Sequence, residues 1–360
     1  MLRQIARLTR PVPAAGPRAL AIAVYSDSAG LAFAARETGP EGVACIDDAA
    51  RALILLTDLW ATTGNLQLRA WAQGLLDFVL YMHDGAGAWF NFIHSWEGDR
   101  NTDGLTSVVG PNFWQARATA AVATAVTRLG VREARPVLFA ALRLAAETSP
   151  PPDVRALHML AAAEMLRGGP DQWLTSRLAG WCEELVSLRI GDTLMNSPDE
   201  RGGPHLWGHL QEAALADAAV LLERRDLLDV AGRSAMAVFQ PPIETGFDLP
   251  HVRPYDVQSA VFVMDRLAAA TGEARYGVLR GKARAWFGVR NPAHSSVYDR
   301  EVGRVADGVD EGVINSHSGA EANIAAGLAL VSDPFLLAQA ASWSAAPVTK
   351  VGQGAPLTSR

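Results

Sequence analysis

The sequence predicts an all-α protein, an (α/α)6 barrel of six helical hairpins with a short β-flap and long loops at one mouth. From about residue 40 onward, apolar residues recur at helical spacing, and glycine or proline separates one segment from the next. The connections alternate between short and long, so consecutive segments pair as hairpins. An α-solenoid would need a regular repeat length. The hairpins instead begin at uneven spacing, which favours the closed barrel: 43, 112, 153, 205, 254 and 319.

The periodicity predicts twelve helices, in chain order: 43–63, 67–83, 112–129, 132–148, 153–167, 171–189, 205–224, 226–239, 254–271, 274–288, 319–331 and 334–345. Long connections fall between hairpins and should build a cleft at one mouth: 84–111, 190–204, 240–253 and 289–318. The predicted organisation is a partly irregular N-terminal extension, the barrel and a C-terminal tail: 1–40, 41–348 and 349–360.

The composition describes an ordinary globular protein of 360 residues, of which 49% are hydrophobic and 19% charged. A net charge of −6 with no basic run argues against nucleic acid or a membrane surface as partner. Only Cys45 and Cys182 are present, which indicates neither a disulfide framework nor a thiolate metal site. No convincing signal peptide or membrane span is evident, so we expect a cytoplasmic protein. We also expect neither a metal ion nor a cofactor.

The first charged motif lies in the first predicted helix, VACIDDAARALILL at 43–56. Asp47 and Arg51 are four residues apart, so they share a helix face and can pair. Asp48 is rotated from Asp47 by roughly 100°. Either the two carboxylates are simply stabilised by the positive end of the helix dipole, or they form the floor of a ligand cavity. We expect Asp47 to be tied to Arg51 and Asp48 to face the cleft.

The second motif is aromatic and lies in the connection 84–104, DGAGAWFNFIHSWEGDRNTDG. Trp89 and Trp96, close to Asp103, suit a sugar ring that stacks on indole while its hydroxyls take hydrogen bonds. The same aromatics could simply cover the barrel end as a two-stranded flap. Trp114 and Arg117 open the next helix and should line the same mouth.

Two further regions contribute carboxylates. Glu212 begins the seventh helix near two histidines, without the spacing of a metal site. Glu244 follows Pro241 and Pro242, so it would stand on a stiff loop, as an acid–base group or as a cap for a neighbouring helix. Tyr255 opens the ninth helix and would line the mouth.

The last region is the polar loop 289–318 and the alanine-rich helix after it. Asn315 and His317 are candidate ligand-facing groups, and the same loop carries Asp307. Ser318 followed by Glu321 fits a capping box, so Glu321 is either a helix cap or a site carboxylate.

Several of these motifs together resemble the six-hairpin glycosidase-like domains that occur alone or fused behind bacterial glycosyltransferases. The matching stretches are spread over 42–331: VACIDDAARAL, AWFNF, QPPIE, WFGVRN, VYD, ADG and NSHSGAE. The resemblance implies an (α/α)6 barrel, an oligosaccharide or glycan as ligand and a glycosyltransferase as a partner. It also implies these site residues: Asp47, Asp48, Glu244, Asp307, Asn315 and Glu321.

Two positions depart from the pattern of that family. Phe113 stands about where an aspartate is usual, and Asp103 would replace it only if its loop folds back. In the seventh-helix region only Glu212 and Ala213 are retained. The departures imply either a different sugar specificity or a weakened enzyme.

The leading hypothesis is therefore an enzyme that acts on a glycosidic bond with paired carboxylates. We expect Asp48 to work with Glu244 or Glu321, and Asp103 is a further candidate. One alternative is a non-catalytic glycan-binding barrel, and another is a lyase acting on uronic acids through Tyr255, Tyr298 or His317. A terpene-cyclase-like site that binds Mg²⁺ through Asp47 and Asp48 is disfavoured, because an arginine stands where a further carboxylate would be expected.

Overall fold

The computed structural model describes residues 1–36, 41–197 and 203–344. In that part of the chain the α-helices are α1 (Leu2–Leu8), α2 (Ile46–Thr63), α3 (Leu66–Tyr81), α4 (Phe113–Thr124), α5 (Arg135–Glu147), α6 (Pro152–Gly168), α7 (Gln172–Ser187), α8 (Gln211–Leu222), α9 (Arg225–Glu244), α10 (Pro254–Thr271), α11 (Ala274–Arg284), α12 (Ala320–Ala329) and α13 (Pro334–Ala341). One π-helical turn, Ala125–Leu129, extends α4. The predicted tail at 349–360 lies outside the described residues.

Short strands accompany the helices. They are β1 (Thr9–Pro11), β2 (Leu20–Ile22), β3 (Tyr25–Ser26), β4 (Ala32–Phe33), β5 (Ala44–Cys45), β6 (Phe92–Ile93), β7 (His251–Val252), β8 (Tyr298–Asp299), β9 (Arg304–Val305), β10 (Gly308–Asp310) and β11 (Val313–Asn315). All pairings between these strands are antiparallel. The predicted β-flap is the pair β5–β6, in which Cys45 faces Phe92.

Six helices form a closed inner ring, in the order α2, α4, α6, α8, α10 and α12, and α12 packs back onto α2. The remaining hairpin partners, α3, α5, α7, α9, α11 and α13, lie outside this ring. Closure excludes the solenoid and confirms the predicted (α/α)6 barrel. Most inner helices follow a longer connection and lead through a short turn into their outer partners, whereas α6 follows α5 after only 148–151. The N-termini of the inner helices meet at one mouth.

The twelve predicted helices are all present, with shifted ends. The seventh helix starts at Gln211 instead of 205, because the preceding residues form an irregular segment in which Gly208 has a φ of 66°. The eighth helix continues through Pro241 and Pro242 to Glu244, so the prediction of a stiff loop there was wrong. Proline φ angles fit a helix, and two prolines in the last turn remove only two amide donors.

The N-terminal residues belong to the core of the barrel. Met1, Leu2 and Ile5 are fully buried in the same apolar cluster as α2, and α1 packs against α12. The short helix α1 was missed because it covers only seven residues and so offers few repeats of the apolar pattern.

The far end of the inner ring is closed by a chain of ion pairs between successive inner helices. A cavity of about 220 Å³ lies inside the ring between this end and Arg51 and Arg117. The paired residues are Asp58, Arg128, Glu164, Arg167, Asp217 and Arg266.

Within the described residues, no single helix combines the length and apolarity needed to cross a membrane. Ala320–Ala329 and Pro334–Ala341 meet that criterion only when taken together, and they are bent by 110° at their junction.

Gly42 allows the flap to approach the start of α2. A Cβ at this position would lie 2.3 Å from the carbonyl oxygen of Ile93, and the φ of Gly42 is 154°. Gly42→Ala is therefore expected to lower the free energy of unfolding by about 1–3 kcal/mol. Gly180→Ala is the matched control, because a Cβ there meets nothing within 4 Å inside α7, and it should stabilise by about 0.5–1 kcal/mol. Urea unfolding measures both, and equal signs for the two variants would contradict this account of the flap.

Candidate functional site

The N-terminus of α2 is held by the flap. The backbone N–H of Ile46 donates to the carbonyl of Asn91 at 2.8 Å, and the N–H of Asp47 donates to the Asn91 side chain at 3.3 Å. The sequence analysis missed Asn91, because a loop asparagine carries no signal that it will cap a helix 44 residues earlier in the chain. The cap fixes the helix turn that carries Asp47 and Asp48 at the mouth.

Arg51 joins three carboxylates at this mouth. Its Nη2 lies 3.1 Å from Asp47 and 2.8 Å from Asp48, and its Nη1 lies 3.0 Å from Glu321 of α12. Arg117 of α4 contacts the same oxygen of Asp47, which leaves the buried Asp47 Oδ1 without a hydrogen-bond partner. We call these five residues the mouth cluster: Asp47, Asp48, Arg51, Arg117 and Glu321.

Asp47 is tied to Arg51 as predicted, but Asp48 differs from the prediction. Both contact Arg51, and the Asp48 side chain is only 2% exposed whereas that of Asp47 is 16% exposed. The expectation that Asp48 faces the open cleft was wrong, because the rotation between the neighbours turns Asp48 under the guanidinium. Burial raises the pKa of Asp48 to about 7, and the attraction of Arg51 only partly opposes that effect.

Glu321 does not cap α12. The N-cap residue is Gly319 and no side chain accepts from the first turn there, so the capping-box interpretation was wrong. Ser318 is instead buried, and its hydroxyl accepts a hydrogen bond from Asn323 at 3.0 Å. Glu321 is therefore left to Arg51, with its side chain 42% exposed at the mouth.

Other acidic and phenolic groups surround Glu321. The pKa of Tyr255 is raised, mainly by burial and additionally by the negative charge of Glu321. Burial raises the pKa of Asp256 to about 6, and Glu321 adds to that rise. The pKa of Asp307 is raised in the same way by burial and by Glu321, and Asp307 accepts from the N–H of Gly319 at 2.7 Å. Asp256 was not among the predicted site residues.

The loop before α12 places its polar groups at the same rim. Asn315 accepts from the N–H of His317 at 3.2 Å, and the exposed His317 ring lies 6.4 Å from that of Phe33. Tyr298, predicted for a lyase, is instead buried next to Phe335 on the outer helix α13.

An aromatic wall lies on the α4–α8 side of the mouth, beside a cavity of about 570 Å³. The Trp207 ring stacks on His205 at 4.3 Å and tilts against Phe113 at 4.9 Å. Trp114 also lines this cavity. His205 Nε2 lies 3.5 Å from the carboxylate of Asp153, a residue that the sequence analysis did not consider.

Glu212 is not a ligand-facing residue. Its side chain is fully buried, with Oε1 2.9 Å from His209 Nε2 and 2.5 Å from the hydroxyl of Ser234. The other ring nitrogen of His209 pairs with Asn196 at 2.8 Å. These contacts fasten Asn196 and His209 to α8 and α9, so Glu212 has a structural role next to the site.

Glu244 and Trp89 lie away from the mouth cluster, contrary to prediction. Glu244 ends the outer helix α9, where it pairs with Lys282 of α11 at 2.7 Å on the protein surface. Trp89 is fully buried, and its indole N–H donates to the carbonyl of Val79. Asp103 is exposed in the loop after the flap, and Trp96 lines a separate rim cavity with Tyr25.

Among the residues that the structure describes, no group of three or more His, Cys, Asp or Glu side chains is arranged to hold a metal ion. Two arginines engage Asp47, and one of them also engages Asp48. The arrangement supplies positive charge where a cation would otherwise bind.

The ionisation of Asp48 should appear in the stability of the protein. Its pKa is raised from 3.8 to about 7, so the folded state binds more protons than the unfolded state between these values. This contribution is fully present below pH 3.8 and is lost as the pH rises through 7, by about 1.4 kcal/mol per pH unit. Asp48→Asn removes it, so the unfolding free energy of the variant relative to wild type should rise between pH 5 and 7. Urea titrations at both pH values measure the difference, and a pH-independent difference would contradict the raised pKa.

Comparison with known proteins confirms the fold. No protein-family model and no curated protein matches the sequence. Solved structures do match over most of the chain. Cellobiose 2-epimerase from Spirochaeta thermophila is 14% identical with a TM-score of 0.68, over 92% of this chain and 92% of that one.

Two further structures show the same likeness. Cellobiose 2-epimerase from Bacillus thermoamylovorans is 11% identical with a TM-score of 0.69, over 92% of this chain and 96% of that one. An α-mannanase of glycoside hydrolase family 76 from Bacteroides thetaiotaomicron is 10% identical with a TM-score of 0.57, over 82% of this chain and 88% of that one. At these identities the likeness establishes the six-hairpin barrel.

Proposed function

We propose that the protein is a carbohydrate-active enzyme that acts on a glycosidic bond of an oligo- or polysaccharide at the mouth cluster. The observation that carries this proposal is the position of Glu321. It is a half-exposed carboxylate without a capping role, held 3.0 Å from an arginine whose other nitrogen binds Asp48. The carboxylates of Asp48 and Glu321 thus bind two different nitrogens of one guanidinium, so Asp48 can act on Glu321 through Arg51.

We assign three roles within the mouth cluster. Glu321 is the catalytic carboxylate, because it is the most exposed of the three acids. Asp47 binds substrate together with Arg117, because its side chain remains 16% exposed at the mouth between two arginines. Asp48 lies under Arg51, so it is a positioning residue whose proton sets how strongly Arg51 holds Glu321.

The surroundings of the cluster fit a sugar. Phe113, Trp114 and Trp207 give ring faces on which a pyranose can stack, next to a cavity of about 570 Å³. The structural neighbours are named as enzymes of sugar epimerisation, isomerisation and hydrolysis, which supports a carbohydrate substrate here. A glycosyltransferase partner is supported by the sequence resemblance alone.

A second candidate is epimerisation or isomerisation of a reducing sugar, favoured by the pair of His205 and Asp153. An imidazole 3.5 Å from a carboxylate can accept the proton on the carbon next to the open-chain carbonyl. The abstracted proton exchanges with solvent on the imidazole, and delivery of a solvent-derived proton to the opposite face of the same carbon gives the epimer, with no other group consumed. The same wall then binds the ring that does not react.

One experiment separates the two reactions from a binding-only protein. The purified chain is incubated in D₂O with gluco- and manno-oligosaccharides of one to six units, and products are followed by proton NMR. Shorter sugars with new reducing ends support the glycosidic reaction, whereas loss of the C2 proton signal at constant chain length supports epimerisation. Line broadening of the sugars without any product would sink both enzyme proposals and leave glycan binding.

A further inference from the structure

The strand pair β3–β4 places two aromatic side chains in the open beside Glu321. The rings of Tyr25 and Phe33 stack at 5.5 Å with an interplanar angle of 23°. Tyr25 is 43% exposed and Phe33 is 45% exposed. His317 lies edge-on to Phe33, at 6.4 Å. We call these three residues the rim platform.

The rim platform is fastened to the start of α12, so it has a fixed position. The buried Ser26 donates to the carbonyl of Ser318 at 2.8 Å, and the buried Gln4 donates to both at 3.1 Å. The N–H of Ala320 donates to the carbonyl of Val24 at 2.9 Å. These hydrogen bonds join three residues of the N-terminal segment to Ser318 and Ala320 at the start of α12, immediately next to Glu321.

The rim platform borders a cavity of about 590 Å³, which is within the size range of small-ligand sites. Trp96 of the flap loop and the exposed Arg36 also line it. Glu321 and Asp48 both act on the Tyr25 hydroxyl, whose pKa is raised to about 12, first by burial and then by these charges. Tyr25 therefore keeps its proton as a hydrogen-bond donor. Its ring also reaches the start of α12, where a Cβ at Gly319 would lie 3.7 Å from it.

We propose that the rim platform is a carbohydrate subsite that stacks one pyranose ring of the substrate, next to the ring held at Glu321. This inference rests on the proposed function. The apolar C–H face of the sugar covers Phe33 and Tyr25, and its hydroxyls meet the polar edges that His317 and Arg36 supply. A purely apolar partner would leave those polar edges unpaired, which favours a sugar.

Removing one ring tests the subsite. Phe33→Ala is expected to weaken binding of a tri- to hexasaccharide by about tenfold and to leave monosaccharide binding unchanged, because only a longer chain reaches both places. Phe33→Trp keeps a stacking face and should retain affinity. Phe335→Ala is the matched control: this exposed ring lies on outer helix α13, away from the mouth, and its loss should not affect either sugar.

The readouts are calorimetric titration and saturation-transfer NMR with gluco- and manno-oligosaccharides of one to six units. Irradiation of the aromatic protein protons should saturate one additional sugar ring in wild type and in Phe33→Trp, and not in Phe33→Ala. Thermal unfolding checks that the variants are folded. If longer sugars bind Phe33→Ala as tightly as wild type, the subsite is refuted while the proposed function stands. If wild type neither binds nor converts any sugar of the panel, the subsite and the proposed function are both refuted.

Discussion

Replacing Glu321 with glutamine is expected to lower kcat/KM by about 10²–10⁴-fold on the sugar that the panel identifies. Glutamine keeps the shape and the hydrogen-bonding reach of the side chain but can neither accept a proton nor attack a sugar carbon. The side chain is 42% exposed and makes one ion pair, with an arginine that has two other carboxylate partners. The free energy of unfolding should therefore change by no more than about 1 kcal/mol.

Glu244→Gln is the matched control for this prediction. Glu244 is equally exposed, at 43%, and also makes a single ion pair, with Lys282 on the outer helices. The two variants thus lose the same kind of surface interaction, and only one of them lies at the mouth. Steady-state kinetics and urea unfolding measure both. A loss of activity of similar size in the two variants would remove Glu321 from the catalytic role.

The sequence was sufficient to predict the barrel because twelve amphipathic segments repeat over 300 residues of the chain. Most residues of the inner helices α8 and α12 are buried, and their alanine content allows close approach. Uneven hairpin spacing favoured a closed ring, and the observed contact of α12 with α2 closes it. Local information also identified the charged turn of α2, since Asp47 and Arg51 are neighbours on one helix face.

The composition of the site depended on partners distant in sequence, which local patterns do not reveal. Glu321 lies 270 residues from Arg51, and a local motif offered a capping role that Asn323 in fact prevents by holding Ser318. Two prolines are a strong signal for a loop, yet their missing donors cost little in the last turn of α9. An aromatic residue in a flap can face either way, and Trp89 faces the core.

Arg51 binds carboxylates of both α2 and α12. We therefore expect its replacement to destabilise the protein more than any of the other substitutions proposed above. Burial alone would lower its pKa, and the surrounding Asp47, Glu321 and Asp48 outweigh that effect and raise it. Arg51→Met keeps the apolar stem and leaves three carboxylates without their shared cation. We expect a loss of about 3–5 kcal/mol in the free energy of unfolding at pH 8, the usual consequence of breaking a buried ion-pair network.

The pH dependence of that loss identifies its cause. Without Arg51 the folded pKa of Asp48 rises further above its unfolded value, because burial raises it and the attraction of Arg51 no longer opposes that effect. Stability is then present at low pH and is lost as the pH rises towards the folded pKa. Arg51→Met should therefore recover much of its deficit at pH 5, and adding Asp48→Asn should recover part of it at pH 8. Arg233→Met is the control, because its pair with Asp192 is more than half exposed and its loss should cost about 0–1 kcal/mol at either pH. Urea unfolding at pH 5 and 8 measures all four proteins. If Arg51→Met is destabilised equally at both pH values, the charge of the mouth cluster is not the cause. The stabilising effect of Arg51 would then come from packing of its side chain against α2.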